Sequence, residues 1–136
     1  MADTFLFELV APERLIFSDQ VEMVVVPGTE GEFGVLPGHA PLISAVRTGI
    51  VEIYEYPALR SKTRFFVAGG FAEVTGERCT VLSSEAVAIA EIDRDAARQR
   101  LERAEIELRD AEGDAEKAAA EAAVSLARAL MEAAGG

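Results

Sequence analysis

Hydrophobic positions along the chain change their spacing once, near Ala90. Before that point they alternate with polar residues over short runs, the period-two pattern of half-buried strands. After it they recur every three or four residues, as on helices packed along one side. The chemistry changes at the same place: Val, Phe, Pro and Gly crowd the first part, and Ala, Glu and Arg the second. The pattern predicts a β-sandwich domain over residues 1–90 and a helical hairpin over residues 91–136.

Phe5, Phe7 and Leu9 alternate with Leu6, Glu8 and Val10 and end at Ala11-Pro12-Glu13. Leu15-Ile16-Phe17 reads as a second strand, stopped by Ser18-Asp19. A third covers residues 21–26, with Val21, Met23 and Val25 on one face and Glu22 on the other. Residues 42–46 are extended, Thr48-Gly49 reads as a turn, and residues 50–54 form the next strand. Tyr56-Pro57 begins a polar connection through Arg60-Ser61-Lys62. Two strands, 65–68 and 71–74, flank Gly69-Gly70, and Thr75-Gly76-Glu77-Arg78 turns into a strand over residues 79–82. Strands in such close succession, with no helix between them, imply an antiparallel sandwich or flattened barrel. Its inward positions are expected at Phe5, Phe7, Val21, Met23, Val25, Phe65 and Val67. The fold class is therefore α+β, mainly β.

In the second part, Asp93 suits an N-cap, and Leu101, Ala104, Leu108 and Ala111 share one face. Gly113 suits the residue after a helix end and Asp114 a fresh N-cap. Ala115, Ala119, Ala122, Leu126, Ala129 and Ala133 then predict a second stripe. Alanine stripes allow close approach but bury little area, so the hairpin reads as a detachable arm beside a stable β body.

One stretch breaks both patterns. Residues 27–41, Pro-Gly-Thr-Glu-Gly-Glu-Phe-Gly-Val-Leu-Pro-Gly-His-Ala-Pro, hold four glycines and three prolines. No helix interior or central strand tolerates that density, so a built turn system is expected. It carries Glu30, Glu32, the single histidine His39, and the apolar residues Phe33, Val35 and Leu36. The apolar residues either plug an open end of the sandwich or dock on a partner.

Charge and chemistry narrow the function. The net charge of −11 disfavours nucleic acid and anionic lipid, which leaves proteins as partners. Both parts share the acidity: 6 Lys/Arg and 12 Asp/Glu over residues 1–90, and 7 and 12 over 91–136. Met1-Ala2-Asp3-Thr4 shows neither the basic flank nor the apolar segment of a signal peptide, and no run is long enough to span a membrane. One cysteine excludes an internal disulfide, and one histidine a multi-histidine metal site. No nucleophile elbow, zinc-protease motif or Walker loop is present, and no Lys-Ser/Thr follows Gly31 and Gly34. Glu30 and Glu32 read as solvated loop acids before general acids or bases, and His39 as a hydrogen-bonded corner. Cys79 reads as a buried hydrophobe. The arginines at 94, 98, 100, 103 and 109 alternate with acids, as on a solvated helix face. No catalytic residue and no metal site is expected.

The stretch Val21-x-x-Val24-x-Val26-Pro27 through His39-Ala40-Pro41-Leu42 resembles the signature of the ε subunit family of F-type ATP synthases, called δ in mitochondria. Ala11-Pro12-Glu13-Arg14-Leu15-Ile16-Phe17, Arg47-Thr48-Gly49-Ile50, Val67-Ala68-Gly69-Gly70-Phe71-Ala72-Glu73-Val74 and Cys79-Thr80-Val81-Leu82-Ser83 follow in the family's order, and a hairpin completes the chain. The resemblance implies a noncatalytic rotor subunit of the central stalk. Its sandwich would bind the γ subunit and rest on polar loops of the c-ring, coupling ring rotation to ATP synthesis at the α/β sites. On this resemblance the ring-facing glutamate falls on Glu32 and the loop histidine on His39, with Glu30, Phe33 and Leu36 as further contact candidates. It places the chain peripherally, on the cytoplasmic face of a bacterial plasma membrane, with no membrane insertion of its own.

The arm departs from the family pattern. Relatives that inhibit ATP hydrolysis use a basic arm, which meets the α/β subunits transiently; here residues 114–136 offer only Lys117 and Arg128 against Glu116, Glu121 and Glu132. Relatives that bind ATP on the hairpin carry Ile/Leu-Asp-x-x-Arg-Ala. This chain has Ile92-Asp93-Arg94-Asp95-Ala96-Ala97, with Ala96 in place of the motif arginine. Arg94 and Arg98 lie two residues away, about 200° around a helix. Weak regulation and no bound cofactor are expected. Two other readings remain: a sandwich with a small-molecule ligand or active site inside, which the apolar inward positions disfavour, and an ATP-sensing regulator, which Ala96 disfavours.

Overall fold

The computed structural model describes residues 3–55 and 61–135, so the expected connection at Tyr56-Pro57 and Arg60 lies outside the described residues. Two compact units are present, residues 1–88 and 89–136. The first is built from β1 (Phe5–Ala11), β2 (Arg14–Val21), β3 (Met23–Gly28), β4 (Gly31–Val35), β5 (Leu42–Glu55), β6 (Ser61–Val74), β7 (Arg78–Leu82) and β8 (Ala86–Ala88). The sheet order is β2-β1-β7-β6-β5-β3-β4, with β8 paired to β6. Every pairing is antiparallel except β1 with β7, which is parallel and departs from the all-antiparallel expectation. The mainly-β class with two following helices is as read from the sequence.

Two strands run longer than the sequence suggested. Residues 42–55 form one strand and 61–74 another, paired in one register from Leu42↔Val74 to Glu55↔Ser61 and interrupted only at Arg47 and Gly69. Thr48-Gly49 is not a turn, and Gly69-Gly70 does not separate two strands. The side facing the core does change along each strand. In β5 it passes from Val46 to Val51 and Ile53, and in β6 from Phe65 and Val67 to Ala72 and Val74. That switch from even to odd positions, or the reverse, means that each strand turns a corner while the register of the pair is kept. In β6 the corner is Gly69-Gly70, at φ +83° and +137°. A Cβ at Gly70 would stand 1.8 Å from the Leu82 carbonyl oxygen.

β3 departs in a similar way. Val24 and Val26 are fully buried, while Met23 and Val25 are only half-buried. The chain bends at Glu22, whose N–H donates to the Tyr54 carbonyl at 2.9 Å, and the inward parity set by Val21 shifts by one. β2 also continues past Ser18-Asp19 to Val21, pairing with β1 throughout. The core that results draws on β1 through β7 and is apolar throughout, centred on Phe7, Leu9, Ile53 and the valines. Ser83 is the one buried polar side chain among the described residues; its hydroxyl donates to the Glu85 carbonyl at 2.9 Å and accepts from the Ala68 N–H at 3.1 Å.

The second unit begins with a 3-10 turn, Ile89–Glu91, followed by α1 (Arg94–Asp110) and α2 (Asp114–Gly135). Asp93 is the N-cap of α1, accepting from the N–H groups of Asp95 and Ala96. The C-cap is Ala111, in extended conformation, so Gly113 is not the residue that follows the helix end. Gly113, at φ +80°, instead precedes α2 and accepts from the Lys117 N–H, and Asp114 is already helical. α1 buries Ala97 and Ala104, with Ala111 buried just beyond it. α2 buries Ala120, Val124, Ala127 and Leu130, whereas Ala115, Ala119 and Ala122 are exposed. The expected stripe was rotated because alanine surrounds this helix, and the larger Val124 and Leu130 decide which side packs. No helix among the described residues is long and apolar enough to cross a membrane.

Gly70→Ala should lower unfolding stability by about 3 kcal/mol, through strain and the clash with Leu82. Gly34→Ala, with open space at its Cβ, should stay within about 0.5 kcal/mol in the same denaturant titration. Burial pushes the Cys79 thiol up from 9.0 to about 12, because a thiolate there would lose its hydration. Its folded pKa is the raised one, so this contribution to stability is full below about pH 9 and is lost as pH rises toward about 12. At pH 8 a thiol reagent should modify the native chain about three orders of magnitude more slowly than the urea-unfolded chain.

Candidate functional site

The glycine- and proline-rich stretch resolves into a hairpin and a turn. β3 and β4 pair from Val24↔Val35 to Gly28↔Gly31, so Thr29 and Glu30 form a two-residue hairpin loop. Pro27 lies inside β3, where its pairing with β5 breaks between Val25 and Gly28; a residue without an N–H is tolerated at such an irregularity. The loop is tied back by the Thr29 N–H, which donates to the Ala45 carbonyl at 3.0 Å. β4 is the last strand of the sheet order, and its alternation separates Glu32 and Gly34, exposed, from half-buried Phe33 and buried Val35. Phe33 packs against the core. Its ring lies over Gly28, where a Cβ would come within 3.0 Å of Cε1.

Beyond β4, Leu36-Pro37-Gly38-His39 has the pattern of a type II turn: the His39 N–H donates to the Leu36 carbonyl at 3.1 Å, and Gly38 has φ +80°. Gly38 N–H donates to the Gly76 carbonyl, which ties this turn to the one between β6 and β7. The His39 Nδ1 is 2.8 Å from the Ala40 carbonyl oxygen. Phe33 is turned to the core, and the other contact candidates form two groups at opposite ends of β4. Glu30 and Glu32 sit at the hairpin end, Leu36 and His39 at the far end, about 13 Å along the strand. Leu36 is half-exposed.

Strand register brings together a further group that sequence reasoning missed. Val10 pairs with Leu15 on β2 and with Leu82 on β7, and Leu82 pairs with Phe71 on β6. Phe71 pairs with Ala45 on β5, two residues from Ile43 on the same face. Leu15, Leu82, Phe71 and Ile43 are 53%, 52%, 61% and 72% exposed. These residues form one apolar row across five strands, on the side away from the core. The signal was available: with Ala72 and Val74 directed inward, alternation turns Phe71 outward.

At the start of the hairpin unit, Asp93 is occupied as the N-cap, Ile92 is half-buried, Ala96 is exposed and Ala97 is buried. The arginines near them have partners. Arg94 Nε donates to the Ala134 carbonyl at 3.0 Å, and Arg98 lies 3.7 Å from Asp95 and 3.9 Å from Glu102. Among the described residues no group of His, Cys, Asp and Glu could hold a metal ion.

Residues 4–89 match the family model for the ATP synthase delta/epsilon chain, beta-sandwich domain. The chain is 53% identical over 131 residues to the ATP synthase epsilon chain of Rhodospirillum rubrum, covering 96% of each. It is 45% identical over 130 residues to that of Paramagnetospirillum magneticum, again covering 96% of each. Among solved structures, a chain of the Euglena gracilis mitochondrial ATP synthase, in an assembly of OSCP, F1 and c-ring, is similar at a TM-score of 0.77 and 27% identity. The match covers 96% of this chain and 81% of that one. Such likeness over nearly the whole length places the chain in the delta/epsilon family of ATP synthase, as a noncatalytic central-stalk subunit of that complex.

Proposed function

We propose that the β unit joins the rotor by two surfaces, the apolar row to the γ subunit and the β3–β4 hairpin to the polar loops of the c-ring. The observation that carries this reading is the row. Four large apolar side chains at least half exposed on one sheet face are what a protein interface covers. Glu30 and Glu32 stand exposed on a hairpin anchored by strand pairing, where charge-assisted hydrogen bonds to basic loops would fix register under torque. Leu36 and His39, beside the β6–β7 turn, add a second contact of mixed character. The subunit thereby couples c-ring rotation through γ to ATP synthesis at the α/β sites, on the cytoplasmic face of the bacterial plasma membrane.

The hairpin acts as a weak regulatory arm that meets the α/β subunits only transiently. Of its two basic residues on α2, Arg128 lies 3.8 Å from Glu105 of α1, which leaves little positive charge to hold an acidic partner. ATP finds no site at the motif remnant, since Ala96 offers no cation, Asp93 caps α1, and Arg94 and Arg98 are engaged elsewhere in the hairpin. A ligand inside the sandwich has no support, because the described interior is filled by apolar side chains.

A tagged chain purified from its own membranes in mild detergent should bring ATPase activity with it. Phe71→Asp should lower that recovery about 10-fold or more while leaving the circular dichroism spectrum unchanged. Glu32→Ala should keep the recovery and lower proton-driven ATP synthesis. Full ATPase recovery with Phe71→Asp would overturn the apolar-row assignment. In equilibrium titration the isolated chain should show no saturable ATP binding in the micromolar range; saturation there would contradict the arm reading.

A further inference from the structure

We propose that Arg94 is the latch of the helical hairpin, holding the far end of α2 by its backbone, and that opening of the hairpin begins with its release. Arg94 is the first residue of α1. A cation there faces the positive end of its own helix dipole, an unfavourable place unless something else stabilises it. That partner is the antiparallel neighbour. Arg94 Nε donates at 3.0 Å to the carbonyl of Ala134, forty positions along the chain and in the last turn of α2. Carbonyls at a helix end have no intrahelical donors and carry the negative end of the dipole. α2 has no basic residue in its own last turn, so Arg94 supplies the cation that the helix lacks.

Position makes this contact decisive. At one end the hairpin is joined covalently through residues 111–113, and further along Arg128 meets Glu105. Along the two helices the buried residues are Ala97 and Ala104 on α1 and Ala120, Val124, Ala127 and Leu130 on α2, mostly alanine and so of small area. Arg98, one turn on, is directed to Asp95 and Glu102 instead, so the polar tie at the open end is Arg94, beside the contact of the Ile89–Glu91 turn with α2. The bond is solvent-exposed, so added salt should weaken it.

Hydrogen exchange on the isolated full chain tests the latch. In about 20 mM salt, Arg94→Gln should speed exchange in the last two turns of α2 about 2- to 5-fold. The same substitution should leave the β unit unchanged, and Arg94→Lys should fall between Gln and wild type. Raising the salt to about 500 mM should speed the wild-type chain toward the Arg94→Gln rate. Wild-type exchange in α2 of Arg94→Gln would overturn the proposal. Equal acceleration of α1 and α2 would also overturn it, since Arg94 would then only support its own helix. The inference rests on the reading of the hairpin as a movable arm, but the two fail separately. A complex carrying only residues 1–91 that hydrolyses ATP at the wild-type rate would remove the regulatory role, whereas the exchange result stands without it.

Discussion

Everything in the β unit depends on how β5 and β6 turn their corner. Two fourteen-residue strands keep one register while the side they show to the core changes halfway. The backbone at Gly69-Gly70 makes this possible, and the 1.8 Å approach of Leu82 to a Cβ at Gly70 leaves no alternative to glycine. The same change of side has a consequence on the outer surface. Once Ala72 and Val74 face inward, Phe71 must face outward, and register sets it beside Leu82 and near Ile43. The geometry that closes the core thus also creates the exposed apolar row. Core and exposed row are two sides of one strand.

The hairpin unit is built on a different balance. Its helices bury mainly alanine, so they approach closely but gain little from area, and a few polar contacts weigh more than they would in the sandwich. Arg94 to Ala134 and Arg128 to Glu105 both join one helix to the other. Both engage a side chain that another role would need. The arginine beside the nucleotide-motif remnant and one of the two basic residues on α2 are committed within the hairpin. The local electrostatics of this unit and the expected weakness of its regulation have the same origin.

Much of this was legible in the sequence, and the misses share one cause. The division into strand and helix chemistry, the hairpin turn at Thr75-Gly76-Glu77-Arg78 and the N-cap at Asp93 follow from local rules, and the structure contains them. Thr48-Gly49, Gly69-Gly70 and the face of β3 were misread because a change of parity looks the same whether a strand ends or bends. Pairing partners decide between the two, and those are set by residues far away in sequence. The stripe on α2 was misread for a related reason: alanine is compatible with either side, and only packing on α1 shows that Val124 and Leu130 choose it. For the candidate site, Glu32 and His39 could be named from a motif. Their separation to opposite ends of β4, and the row through Leu15, Leu82, Phe71 and Ile43, needed the register of five strands.

The central claim is that this row is the surface by which the subunit is held in its complex. Accessibility at Phe71 measures it most directly, because Cys79 is buried and its raised pKa keeps the natural thiol silent. A Phe71→Cys chain, labelled with a maleimide both free and in the assembled ATP synthase, should react readily when free and slowly in the complex. Equal labelling in the two states would mean that the row stays in water, and the account would be wrong.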